Sequence, residues 1–358
     1  MERTTLSIDA RMLFSSGIGT YLQGLLKRLP LQGLEAKTHI YVYNEKAADW
    51  IRQYQPHANI TICPIWIYGL KEQLYWKKVL DGSGVFWAPH FNIPWEGYEK
   101  LIVTLHDCFP LSPYASLPYI IYGKLMYRRI RQKADVILAN SEFTRHEIHE
   151  RARIFDIPTH VIPLGVDPIW FTSILPPRPF PFNYLLYVGN LKPHKNLRNL
   201  LKAIRLLKPS QKLVCVGAFK DLKFRDEKAF SMLRRMKDQV ILTDRVEDDR
   251  LRAIVKHADG LVLPSFYEGF GLPPLEAMAS RVPVLVSQAA SLPEVCGNSA
   301  LYCDPFTPQG VADGIHQLIN LSGADRARRI AEGHEHAATF NWDKTAAATY
   351  EVLRTTLL

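Results

Sequence analysis

The chain has no apolar run approaching the about 20 residues that a bilayer-spanning helix needs, which excludes an integral helical membrane protein. Its opening, Met1-Glu-Arg-Thr-Thr, leads straight into a strand-like run without a signal peptide, so the expected location is the cytoplasm. Only five cysteines occur (Cys63, Cys108, Cys215, Cys296 and Cys303), scattered and without a Cys-x-x-Cys pair. That pattern argues against a zinc site and fits reduced, buried thiols. Neither a helix-turn-helix nor a zinc-finger pattern is present, and the lysines and arginines are spread along the chain, so the net charge of +9 is not read as nucleic-acid binding. The charge still favours an anionic partner, which leaves an acidic bilayer surface or a phosphorylated substrate. With 358 residues and 47% hydrophobic content, two or three globular domains are expected and disorder is not.

What is present is organised around Pro264-Ser-Phe-Tyr-Glu-Gly-Phe-Gly-Leu-Pro-Pro-Leu-Glu276. Upstream, Gly260-Leu-Val-Leu reads as a buried parallel strand; downstream, Leu275-Glu-Ala-Met-Ala279 is strongly helix-forming. Between them Gly269 and Gly271 let backbone N–H groups approach a ligand, and Pro273 and Pro274 suit first helical positions. Free N–H groups at a helix start favour a phosphate. Glu268 and Glu276 frame the loop and suit hydroxyls, Glu276 for two ribose hydroxyls and Glu268 for a sugar beyond the phosphates. The alternative is that Glu276 only complements the helix dipole and Glu268 is a solvated loop residue.

The pattern Glu268, seven residues, Glu276, with Gly269-Phe270-Gly271-Leu272-Pro-Pro-Leu between, resembles the signature of retaining glycosyltransferases of the GT-B fold, specifically the family 4, mannosyltransferase-like group 1 enzymes. The resemblance implies an α/β chain of two Rossmann-like doubly wound parallel-sheet domains facing a cleft. It implies a nucleotide-sugar donor on the C-terminal domain, with Gly269, Phe270, Gly271, Leu272 and Glu276 around it, and an acceptor on the N-terminal one. No Asp-x-Asp triplet occurs, which counts against the GT-A class and its carboxylate-held metal, so neither metal nor separate cofactor is expected.

In the first half, the run to Asp9 is followed by a loop to Gly19 and a helix from Thr20 to Leu29. Taken alone, Gly17 and Gly19 read as a tight turn; in the family a Gly-rich loop after the first strand lies across from the donor phosphates, and the pair matches that position. Strand and helix runs then alternate as in a doubly wound sheet. Ile65 to Leu80 mixes Trp66, Tyr68, Tyr75 and Trp76 with Lys71, Lys77 and Lys78. It reads either as a core helix with a solvated lysine face or as a peripheral contact with anionic membrane, its rings at the headgroups. Leu101 to Leu105 ends in His106-Asp107, which resembles the family's motif facing the transferring sugar and otherwise reads as a capped loop; His90 is a poorer candidate.

Residues 1–170 are expected to form the acceptor domain, and 171–183, with four prolines, an extended linker. Residues 184–335 are expected to form the donor domain, and 336–358 a helix crossing back to the first. In the loop after Tyr184 to Val188, Gly189 and Lys195 match the family, Lys195 being expected to neutralise the diphosphate as charge develops on it. Asn190 stands where many relatives carry arginine, so Lys192 or His194 is expected to supply part of that charge.

The resulting expectation is a retaining, metal-independent hexosyltransferase of cell-surface glycan synthesis, with mannose from GDP-mannose favoured over a UDP-sugar such as UDP-glucose, a saccharide or lipid-linked acceptor, and His106, Asp107, Lys195 and Glu268 at the reacting centre. Front-face attack is preferred over double displacement because no carboxylate is independently placed beneath the anomeric carbon. A non-catalytic nucleotide-sugar-binding subunit, or a phosphorylase of the same fold, is the alternative.

Overall fold

The computed structural model describes residues 4–208, 210–217, 219 and 226–358; residues 1–3, on which the signal-peptide expectation partly rests, lie outside them. The chain divides into two units, Met1–Gly165 with Asn341–Leu358, and Val166–Phe340.

The first unit is built on strands β1 (Thr4–Asp9), β2 (Ala36–Val42), β3 (Asn59–Ile62), β4 (Val85–Ala88), β5 (Lys100–Leu105), β6 (Val136–Ala139) and β7 (Thr159–Val161). Among the described residues they form one sheet in the order β3-β2-β1-β4-β5-β6-β7. Every pairing is parallel. β4 and β5 are apolar along nearly their whole length because helices cover both faces of such a sheet. The strand order reverses between β1 and β4, so the chain opens a crevice beyond the carboxyl ends of those strands, where Asp9 and His90 lie.

The second unit repeats the plan with β8 (Tyr184–Val188), β9 (Lys212–Val216), β10 (Val240–Leu242), β11 (Gly260–Leu263), β12 (Val284–Ser287) and β13 (Leu301–Cys303), in the order β10-β9-β8-β11-β12-β13 and again parallel. Its reversal falls between β8 and β11. The glycine loop and the lysine-rich loop are the segments that leave these two strands, which is why residues distant in sequence share one site.

The division falls at 165 and 340 rather than at the 170, 184 and 335 expected. The proline-rich stretch is fastened to the second unit: Lys256 Nζ donates to Thr172 O and, at 2.9 Å, to Ile174 O, and a His257 ring nitrogen lies 2.7 Å from Pro176 O. The last helix, Trp342–Leu357, belongs to the first unit, where Thr345 Oγ1 donates to Pro163 O at 2.8 Å. All five cysteines are buried and unbridged.

One further expectation is corrected, and one that the sequence left open is narrowed. The first helix spans Ser16–Leu26, so Gly17 and Gly19 lie in its first turns instead of in the preceding loop. Glycine lowers helix propensity, and tertiary packing overrides that here: a Cβ at Gly19 would stand 2.8 Å from Leu13 O, so a bare backbone lets the helix begin against its own loop. The aromatic face between Ile65 and Leu80 is mostly core. Trp76 is buried against Tyr41 and Phe86, and Tyr68 and Tyr75 are half-buried, while Trp66, Leu70 and Leu74 are about 70% exposed.

Candidate functional site

In the second unit the loop after β8 begins at Gly189, whose N–H donates to Val216 O at 2.9 Å. Asn190 closes the turn with its own side chain, Oδ1 accepting from Lys192 N at 3.2 Å. A single 3-10 turn, Pro193–Lys195, leads to Asn196 in the left-handed region (φ 57°, ψ 28°). Asn196 Nδ2 donates to Pro264 O at 2.8 Å and Pro305 O at 2.7 Å, while Phe266 N donates to His194 O at 2.8 Å. These bonds tie the loop after β8 to the loop after β11. They bring Lys195 Nζ to 2.7 and 2.6 Å from the two oxygens of Glu268, a pair whose side chains retain 22% and 11% exposure.

Glu268 is oriented from a second side by Ser265, whose Oγ donates to Oε1 at 2.7 Å. Ser291 Oγ stands 2.9 Å from Glu268 O and 2.7 Å from Phe270 O, pinning the turn from below. Phe270 itself is buried edge-on to Phe340, so the residue reaches a ligand only through its backbone. Gly271 caps the helix Leu272–Ala279 at φ 115°, a conformation a side chain opposes, and a Cβ there would meet Leu292 Cδ2 at 2.8 Å. No side chain caps that helix, and Pro273 and Pro274 remove two of its orphan donors, leaving the backbone at Gly271 and Leu272 as its N-terminal donors.

Glu276, one turn into this helix, is half-buried, and its carboxylate makes no hydrogen bond or ion pair among the described residues. Burial, reinforced by the negative charges of Asp248 and Asp167, raises its pKa from 4.5 to about 7. A carboxylate held this way gains from any ligand that donates hydrogen bonds to it. His194 does not supply the charge expected of it. It is buried, and burial together with Lys195 and Lys192 holds its pKa far below the usual range, so the ring is neutral near pH 7.

In the first unit His106 follows β5 directly. Its Nε2 lies 3.0 Å from Pro89 O, which fixes Nε2 as the protonated nitrogen, and its ring stands edge-on to Tyr21 at 4.7 Å. Burial lowers its pKa to about 4 against the opposing effect of the Pro89 bond. Asp107 Oδ1 accepts from Phe109 N at 2.9 Å and its carbonyl accepts from Tyr127 Oη at 2.7 Å, so one of its roles is to shape the turn. Gly17 and Gly19 lie in the first unit with His106. A Cβ at Gly17 would meet nothing within 4 Å, so packing does not require glycine there.

The sequence reading missed a buried ionic network at the first unit's own strand-order reversal. Arg11 Nε and Nη2 donate to the two oxygens of Asp9 at 2.8 and 2.7 Å, and Nη2 also donates to Glu72. Asn92 Nδ2 lies 2.8 and 2.9 Å from the Glu72 oxygens, and His90 Nε2 stands 3.4 Å from Asp9 Oδ2. Burial alone would raise Asp9, but the charge and hydrogen bonds of Arg11, with His90, outweigh it and hold the carboxyl well below its usual range. Asp9-x-Arg11 at the end of the first strand was the available signal; Glu72, between Lys71 and Gln73, gave none.

Two doubly wound parallel units, the second gathering a lysine, two glutamates and an uncapped helix start at its reversal point, define a GT-B type transferase. The family described as Glycosyl transferases group 1 matches residues 177–336, and Glycosyltransferase Family 4 matches residues 15–169. The O-antigen chain mannosyltransferase B of Escherichia coli is 28% identical over 284 residues, 74% of this chain and 72% of that protein. The O-antigen chain mannosyltransferase RfbU of Salmonella typhimurium is 27% identical over 254 residues, 71% and 69% of the two chains. Among solved structures, Anabaena HepE in complex with UDP-glucose superposes with a TM-score of 0.75 at 17% identity, covering 98% of this chain and all of the other. The chain belongs to glycosyltransferase family 4 of the group 1 glycosyltransferases and has the GT-B fold.

Proposed function

We propose that this glycosyltransferase is a retaining, metal-independent mannosyltransferase that uses GDP-mannose and extends a saccharide or lipid-linked saccharide in cell-surface glycan synthesis. The observation that carries the donor site is the convergence of Lys195, Glu268 and the uncapped Gly271 helix start at one strand-order reversal, with the unpartnered Glu276 one turn beyond. In this reading the diphosphate takes Lys195 and the N–H groups at the start of helix Leu272–Ala279, so developing negative charge meets fixed positive charge without a metal. Glu268, released from Lys195, accepts from sugar hydroxyls, and Glu276 accepts from the ribose. Mannose is favoured by the two mannosyltransferase relatives. A UDP-glucose donor is the second reading, favoured by the HepE complex.

The first unit carries the acceptor, and His106, neutral near pH 7, positions the transferring sugar. Attack on the face the diphosphate leaves, with a leaving phosphate oxygen taking the acceptor proton, retains configuration and needs no enzyme nucleophile. The experiment is slow hydrolysis of GDP-mannose followed by proton NMR: α-mannose as the first-formed anomer supports retention, and β-mannose contradicts it.

The proposed location is cytoplasmic, with peripheral contact at an anionic membrane. No described helix is long and apolar enough to cross one. Trp66, Leu70 and Leu74 are exposed beside Lys71, Lys77 and Lys78. Helix Leu117–Lys133 exposes Leu117, Ile121 and Leu125 at helical spacing and carries basic residues but no acidic one. Such a surface suits acyl chains at its apolar residues and anionic headgroups at its rim.

A further inference from the structure

Tyr68 has φ 75°, a left-handed backbone that a bulky ring rarely adopts. It is held there from beneath: its N–H donates to Glu72 Oε2 at 2.9 Å, and Glu72 is itself fixed by Arg11 and Asn92 in the buried network. The strained backbone delivers the ring into a half-buried aromatic group. Tyr68 stacks on Phe91 with centroids 5.8 Å apart and stands edge-on to Tyr122 at 5.8 Å, while Phe91 stands edge-on to Tyr119 at 6.0 Å. Tyr122 is engaged, its hydroxyl donating to Asn92 Oδ1.

The hydroxyls of Tyr68 and Tyr119 form no hydrogen bond among the described residues. Burial raises both phenols well above their ordinary range. Tyr119 also stands 6.2 Å from the Phe109 ring, and Phe109 N donates to Asp107 Oδ1, so the carboxylate that follows β5 borders this aromatic group. Packing alone does not call for a bulky side chain at that strained backbone, and the two half-buried phenols, without protein partners among the described residues, remain open to a ligand. Flat ring faces, two hydroxyls and a carboxylate together match a pyranose, which has a C–H face for the rings and hydroxyls for the polar groups.

We propose that Tyr68, Phe91 and Tyr119, with Asp107, form a pyranose-binding subsite for the acceptor saccharide, and that Asp9, Arg11 and Glu72 are its positioning frame. The proposal rests on the transferase reading above and adds the residues that hold the acceptor.

The test titrates methyl α-mannopyranoside, methyl α-glucopyranoside and methyl β-galactopyranoside into the full chain, read by saturation-transfer NMR, beside thermal shifts with GDP and UDP. Tyr68→Gly removes the ring at a φ that glycine accepts freely, and Tyr119→Phe removes only a hydroxyl. At least one glycoside binds the wild type at about 10 mM; Tyr68→Gly weakens it about tenfold and Tyr119→Phe about threefold, with the nucleotide shift unchanged. If Tyr68→Gly does not fold, Tyr119→Phe decides alone. Absence of glycoside binding to the wild type, or undiminished binding by the folded variants, overturns the subsite. Glycoside binding with no nucleotide shift in the wild type overturns the donor reading instead.

Discussion

Replacing Glu276 by glutamine separates the cost of burying a carboxylate from its use. The folded pKa is raised from 4.5 to about 7, so the native state binds this proton more tightly than the unfolded chain. Below pH 4.5 the group is neutral in both states and costs nothing. As pH climbs from 4.5 to 7 the unfolded chain ionises first, and stability falls; above 7 the loss is constant. At about 1.4 kcal/mol per pKa unit the full penalty is about 3 kcal/mol, and partial solvent access reduces it to about 2 kcal/mol. Glu276→Gln should therefore melt higher than wild type at pH 8, by about 4–8 °C for a unit of this size, and equally at pH 4. The same charge should serve the donor. If a bound nucleotide requires ionised Glu276, about one molecule in ten is competent at pH 6, so affinity drops about tenfold from pH 8, and the variant loses that dependence with most of its affinity. Calorimetric scans at the two pH values, with nucleotide titrations, decide the matter. A variant less stable than wild type at pH 8, or one that keeps full pH-dependent nucleotide affinity, refutes the assignment.

Lys195→Ala removes a partly exposed ion pair and should cost only about 1 kcal/mol in denaturant unfolding, yet abolish the thermal shift given by nucleoside diphosphates. Arg11→Leu leaves Asp9 and Glu72 buried without their common cation, and urea titration should show a loss of about 3–5 kcal/mol. Leu70→Ser combined with Leu74→Ser should reduce sedimentation with phosphatidylglycerol vesicles without lowering nucleotide affinity, because both side chains are exposed and far in sequence from the donor loops. Unchanged sedimentation removes the membrane contact.

What was legible in the sequence was local. The strand, glycine loop and helix around Glu268 and Glu276 announce themselves because buried parallel strands are continuously apolar and because glycine and proline occupy positions set by helix-end geometry. Lys195 could be named from its loop, but its pairing with Glu268 could not, since that depends on Asn196 fastening two loops 68 positions apart in the chain. His194 was misread as a charge source because a sequence shows a titratable ring and not the burial that keeps it neutral. The segment around Trp76 was ambiguous for a related reason: rings and lysines at helical spacing fit a bilayer face or a core face equally well, and only packing against Tyr41 and Phe86 distinguishes them. Glu72, Asn92 and the strained Tyr68 gave no sequence signal, because their roles exist only once β1, β4 and the helix Leu70–Val79 are assembled.

The central claim is a donor site for a nucleotide sugar in the second unit, working without a metal. The most direct measurement is thermal unfolding of the full chain against GDP-mannose, UDP-glucose and ADP- and dTDP-sugars, with and without EDTA, for the wild type and Glu276→Gln. A shift confined to one nucleotide class, largest for GDP-mannose, unaltered by EDTA and lost in the variant, is the predicted result. No shift with any nucleotide at millimolar concentration, or a shift that EDTA abolishes, contradicts it.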